Sequence, residues 1–122
     1  MDWSAKLFGL SDAFLNESGV GGGVIQTSAS DSGLTAVIAA RSRYTRLHPE
    51  VPLEDLLMYV TTETHSLGTK TALILGLSCR SLEVKPEDEY ALRGDTLNAA
   101  ILEDRARGKH PFVLSKGHQY VP

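Results

Sequence analysis

A chain of 122 residues with 42% apolar and 22% charged side chains has the balance of a globular domain able to bury a core. Its net charge of -3 gives no electrostatic reason to expect a nucleic acid or an anionic membrane surface as partner, and no apolar run approaches a membrane span. No signal peptide is read, no metal site is expected, and the single Cys79 excludes an intrachain disulfide, so a reducing, cytoplasmic setting fits best.

Trp3, Leu7, Leu10 and Phe14 recur at helical spacing, which predicts an amphipathic helix over residues 3 to 15 whose apolar positions serve packing. A run of glycines and hydroxyls follows, from Gly21 to Asp31. Beyond it Leu34, Val37 and Ile38 mark the buried face of a helix running toward Arg46. Arg41, Arg43 and Arg46 read as a solvated, dipole-favoured helix end. Pro49 and Pro52 bound a turn, and Leu57 to Thr61 is a short β-prone run ending near His65. Leu67 to Leu77 is the next predicted helix, with Gly76 near its end. Arg80 to Val84 alternates, with Leu82 and Val84 on one side. Asp95 is placed to cap a helix through Leu97, Ala100 and Ile101 to a stop at Gly108, with Glu103 and Arg107 as an i,i+4 pair. A last strand covers Phe112 to Leu114. Strands separated by helices imply βαβ units, a largely parallel sheet with helices on its faces, and ligands at the strand carboxyl ends.

The segment Gly21-Gly22-Gly23-Val24-Ile25-Gln26-Thr27-Ser28-Ala29-Ser30-Asp31 joins flexible backbone to hydroxyls at the mouth of a helix. Glycines let the main chain approach a ligand, the hydroxyls can donate, and the free N–H groups of a first helical turn attract anions. The residues alone leave two readings open: a phosphate site, or a capping box from Ser28 to Asp31 behind a flexible loop. A dinucleotide fingerprint is disfavoured, because Val24 stands where a third glycine belongs and Asn16-Glu17-Ser18 is no strand. A Walker-type loop is excluded by the lack of Gly-Lys-Ser/Thr.

The whole segment resembles the cofactor-phosphate loop of the group II, aromatic-L-amino-acid-decarboxylase-like family of pyridoxal-phosphate-dependent enzymes. Asp2-Trp3-Ser4-Ala5-Lys6-Leu7-Phe8-Gly9-Leu10, Ala39-Ala40-Arg41, Thr64-His65-Ser66-Leu67-Gly68, Ala91 to Leu97 and Gly108 to Leu114 resemble further pieces of that family in order and spacing. The resemblance implies an α/β fold: part of the large domain of the fold-type I, aminotransferase-like architecture over residues 1–114, followed by a divergent tail, 115–122. It also implies that Ala29 and Ser30, with Ser28, hold the phosphate of pyridoxal 5'-phosphate. His65 is then the histidine that stacks on the pyridine ring and contacts the substrate carboxylate. The implied reaction converts an aromatic L-amino acid to its amine and carbon dioxide, in a homodimer.

Departures from the family pattern accompany these matches. Thr27 stands where a glycine is common, and Asp31-Ser32 replaces a Glu-Ala pair. The residues from Ser115 on carry neither the aspartate that pairs with the pyridine nitrogen nor the Schiff-base lysine that follows a histidine, and Lys116 reads as a solvated tail residue. The chain is therefore expected to be a fragment, inactive alone. The alternatives are a non-catalytic remnant and a small α/β module that binds a phosphate ligand or a partner.

Overall fold

The computed structural model describes residues 1–116. They form two compact units, Met1–Ser32 and the residues from Gly33 onward.

In the first unit, helix α1 (Asp2–Leu7) is much shorter than the predicted helix over 3 to 15. Gly9 is the reason. It takes φ +66, its N–H bonds to Lys6 O at 3.1 Å, and Leu10 N–H bonds back to Ala5 O at 3.0 Å. This paired closure satisfies the last carbonyls of α1 and turns the chain out of the helix, a conformation open to glycine at little cost. Two 3-10 turns follow, Asp12–Phe14 and Asn16–Ser18. The expected packing role of the apolar positions fails with the helix: Trp3 is 88% exposed and Leu7 and Phe14 are exposed too, while Ala5 and Leu15 are buried. Asp2 Oδ1 accepts from both the backbone N–H and the side-chain amide of Asn16, at 3.1 and 2.9 Å, tying α1 to the second turn.

Helix α2 (Ala29–Leu47) crosses from the first unit into the second. Its inward stripe is Leu34, Val37, Arg41 and Tyr44, at i, i+3, i+7 and i+10, with Val37 fully buried. Ile38, expected on that face, lies one residue round the helix from Val37 and is exposed. Arg41 is not part of a solvated basic end: its guanidinium donates to Leu75 O at 3.3 Å, while Arg43 and Arg46 are exposed.

Strand β1 (Leu56–Thr61) is buried at all six positions. It is central in a three-stranded parallel sheet of order β2-β1-β3, with β2 at Ser78–Leu82 and β3 at His110–Ser115. Leu56, Met58 and Val60 face a core with Val37, Val51, Ala72 and Leu77, whereas Leu57 and Tyr59 face a second core with Leu82 and Ala100. The two-residue period of a strand thus feeds two separate apolar layers. Helix α3 (Leu67–Leu75) joins β1 to β2 on the first face, and helix α4 (Gly94–Ala106) joins β2 to β3 on the second. Fully burying an aliphatic side chain contributes about 1.5–3 kcal/mol, so β1 is the energetic centre of this unit.

The expected helix stops at Gly76 and Gly108 hold, each with left-handed φ and the same paired closure seen at Gly9. The i,i+4 pair Glu103–Arg107 is present at 2.6 Å. Asp95 does not cap α4: Arg93 occupies the cap position, no side chain bonds there, and Asp95 lies in the first turn. The register of β3 shifts between Leu57 and Met58, where β1 faces Pro111 and then Val113. Pro111 has no N–H to give to a ladder, which accounts for an irregularity at this point. Ser115, read from sequence as the first tail residue, closes β3. The rest of that expected tail, from residue 117, lies outside the described residues.

Candidate functional site

At the start of α2 the first helical hydrogen bond runs from Ser32 N–H to Ser28 O at 3.0 Å. Ser28 Oγ accepts from Asp31 N–H at 3.1 Å, so the serine half of the capping box read from sequence is present, while the Asp31 carboxylate takes the Thr27 hydroxyl instead of the Ser28 amide. The amides of Ala29 and Ser30 stand ahead of that first helical bond, where a helix has donors without intrahelical acceptors. Ser28, Ala29 and Ser30 are all exposed, and the Ser30 hydroxyl has a proton to donate outward, whereas that of Ser28 is shared with the Asp31 carboxylate. Capping and anion binding are therefore compatible here, because the cap consumes one amide and leaves two.

Asp31 qualifies that donor set. Its carboxylate accepts from Thr27 Oγ1, and this hydrogen bond, followed by that of Ser28, holds the acid below its usual range. A negative charge already favoured by the helix dipole thus stands beside the exposed amides. The donors fit a phosphate ester, and Asp31 opposes it.

The glycine run has a different origin from the one suggested by the sequence. A Cβ at Gly21 would collide with the carbonyl oxygen of Ala13, and one at Gly22, at φ +142, with Asn16 Oδ1. Both are held by contacts inside the first unit, where Ser18 Oγ also accepts Gly21 N–H at 2.9 Å.

His65 belongs to the second unit, in the connection from β1 to α3, and is exposed. Its Nδ1 accepts Leu67 N–H at 3.1 Å, which places the ring proton of the neutral imidazole on Nε2. The loop that carries it is fastened next door. Thr64 Oγ1 accepts Thr61 N–H at 3.0 Å, lies 2.8 Å from Thr61 Oγ1 and donates to Ser115 O at 3.2 Å. Gly68 then seats α3 against the strand ends, since a Cβ there would come within 3.0 Å of Val60 Cγ1 and 3.3 Å of Thr64 Cγ2. Sequence reasoning gave His65 a role, named Thr64 and Gly68 only as its neighbours in a motif, and missed what they and Ser115 do. The hydroxyl-rich Thr61-Thr62-Glu63-Thr64 at a strand end was the available signal.

A polar network lies elsewhere in the second unit. Arg80 on β2 bonds Asp104 and Glu103 of α4, each at 2.8 Å, and Tyr59 donates to Asp104 Oδ2 at 2.7 Å. Burial, then the bond to Asp104, pushes the Tyr59 hydroxyl above its ordinary range. The Arg80 hydrogen bond holds Glu103 below its own. An open groove between β2 and α4, lined by Arg80, Leu82, Lys85, Thr96, Ala99 and Glu103, does not include His65.

A parallel sheet with helices on both faces defines an α/β domain, and His65 follows the carboxyl end of its central strand. Residues 1–116 match the pyridoxal-dependent decarboxylase conserved domain. The chain belongs to that family. It is 40% identical over 123 residues to an aromatic-L-amino-acid decarboxylase of Manduca sexta, covering 93% of this chain and 24% of that protein. It is 40% identical over 117 residues to a phenylacetaldehyde synthase of Arabidopsis thaliana, with the same two coverages. The crystal structure of Oryza sativa TDC with PLP and tryptamine superposes with a TM-score of 0.80 at 30% identity, over 93% of this chain and 24% of that one. The chain therefore spans about a quarter of the length of the relatives it matches, and the expected α/β class and family are both borne out.

Proposed function

We propose that this chain supplies phosphate-holding and ring-covering residues of a pyridoxal-phosphate-dependent decarboxylase that acts on an aromatic L-amino acid. Residues 1–114 are read as part of its cofactor-binding large domain. The observation that carries the reading is the pair of amides at Ala29 and Ser30 ahead of the first helical bond of α2, inside a segment matched by the family.

The amides of Ala29 and Ser30 and the hydroxyls of Ser28 and Ser30 bind the ester phosphate, with the helix dipole adding attraction. His65 lies against the pyridine ring and meets the substrate carboxylate, its Nε2–H acting as the donor. Bound pyridoxal phosphate supplies the electron sink for loss of carbon dioxide. The exposure of His65 and the anchoring of Nδ1 by Leu67 support this role, because the ring is held by the chain without being covered by it. A homodimer and a cytoplasmic setting complete the proposal. Among the described residues no helix is long and apolar enough to cross a membrane, and the net charge of -3 gives no electrostatic reason to expect a nucleic acid.

The test is titration with pyridoxal phosphate followed by 31P resonance and by the ring signals of His65. Broadening or shift of both is expected, reached only at higher cofactor concentration in Ser30→Ala. No shift at millimolar cofactor would overturn the assignment. Because relatives include both a decarboxylase and an aldehyde synthase, turnover assays should follow amine and aldehyde together.

A further inference from the structure

A threonine hydroxyl has one proton to give and two lone pairs to receive with, and the contacts of Thr64 use all three. Its proton goes to Ser115 O at 3.2 Å, at the end of β3. Its lone pairs take Thr61 N–H at 3.0 Å and, since that proton is already committed, the hydroxyl proton of Thr61 at 2.8 Å, at the end of β1. The adjacent backbone bond, Thr64 N–H to Thr61 O at 2.9 Å, closes the turn. The next residue is His65, whose Nδ1 is fixed by the Leu67 amide.

We propose that Thr64 is a positioning residue for His65, its hydroxyl locking the imidazole-bearing loop to the carboxyl ends of β1 and β3 at once. This rests on the role of His65 proposed above, but the geometry concerns the free chain. A loop fastened to one strand could tilt about that strand's end; fastening to two neighbouring strands removes the tilt. The His65–Leu67 hydrogen bond, and with it the Nε2–H tautomer, then depends on the Thr64 hydroxyl. Thr64 need not touch cofactor or substrate to do this.

The test compares Thr64→Val, which keeps the shape and removes the hydroxyl, with Thr64→Ser, which keeps the hydroxyl. Two signals are read in the full chain without cofactor: the 15N shifts of the His65 ring, which report the tautomer, and hydrogen exchange of the Leu67 amide. In Thr64→Val the ring shifts should move toward a mixed-tautomer average and Leu67 exchange should quicken roughly tenfold, as for loss of one hydrogen bond. Exchange in β1, at Met58 for example, should change much less, which separates a local effect from general destabilisation. Thr64→Ser should retain the parent signals.

Unchanged His65 shifts in folded Thr64→Val overturn the proposal. So does loss of the parent signals in Thr64→Ser, even where Thr64→Val does not fold. The assignment of His65 to the cofactor is judged separately, by the shift of its ring signals on adding pyridoxal phosphate to the parent chain, so either idea can fail while the other stands.

Discussion

Tyr59, in the middle of the central strand, donates its hydroxyl to Asp104 Oδ2 at 2.7 Å, and the other oxygen of that carboxylate is held by Arg80 at 2.8 Å. Both Tyr59 and Asp104 are almost fully buried. The pair joins β1 to α4 through a layer that is otherwise apolar, and Arg80 brings in β2, so three elements share one charge-assisted network.

Removing the tyrosine hydroxyl should therefore cost stability out of proportion to one oxygen atom. Tyr59→Phe is expected to lose about 1.5–3 kcal/mol, the range for a hydrogen bond to a charged group. The pH dependence has a definite sign. The folded hydroxyl titrates above its unfolded value, so its contribution is fully present below about pH 10 and declines as pH rises beyond that. Urea denaturation of parent and Tyr59→Phe between pH 8 and 11 checks this: the parent should lose stability faster than the variant, and parallel profiles would rule out the linkage.

At the start of α2, Ser30→Ala should weaken pyridoxal phosphate binding by about three- to tenfold, one hydrogen bond's worth. Asp31→Asn should strengthen it, because an ionised carboxylate leaves the anion site. The same substitution removes a favourable charge at a helix N-terminus. The stabilisation from Asp31 is present above the usual carboxylate range and is lost as pH falls through its depressed value. Opposite changes in cofactor affinity and helix stability, read by 31P titration and thermal melting, are the expected signature.

Reduction with borohydride in the presence of pyridoxal phosphate should label the lysines of this chain in proportion to exposure, with no single site favoured. These 122 residues contain no His-Lys motif, and Lys116 is an exposed residue just past β3. Peptide mapping decides: one dominant labelled lysine, accompanied by amine release, would refute this expectation.

The isolated 122-residue chain should self-associate at micromolar concentration. Among the described residues β2 and β3 each have a strand partner on one side only, and Trp3, Leu7, Val20 and Ile25 are all more than four-fifths exposed. Unpaired strand edges and exposed apolar side chains both favour association. Sedimentation velocity would show it, and a sharp, concentration-independent monomer boundary would contradict it.

The parts legible in the sequence were those with a local physical signature. The apolar run at Leu57 to Thr61, the glycine stops at Gly76 and Gly108 and the Glu103–Arg107 spacing each act over a few residues, and each appears as read. Errors arose where a longer-range partner decided. Nothing near Ile38 reveals that Val37 and Tyr44, rather than Ile38, meet the sheet. Arg41 resembles its neighbours Arg43 and Arg46 until α3 brings the Leu75 carbonyl to it. Gly21 and Gly22 looked like room for a ligand, yet their want of a side chain answers to Ala13 and Asn16. The site shows the same division: the Ser28 cap reaches three residues along the chain, whereas the tie from Thr64 to Ser115 reaches fifty-one and could not be read from either segment.

The strand order β2-β1-β3 has a consequence for synthesis. The strand that ends up innermost leaves the ribosome first. α3 and β2 can cover one side of it soon afterwards, through short-range contacts, but α4 and β3 arrive only when the chain has emerged as far as Ser115. Until then Leu57 and Tyr59 present an apolar, uncovered face to solvent or to a waiting chaperone. Slowing translation just after Leu82 should prolong that exposure and lower the yield of native protein.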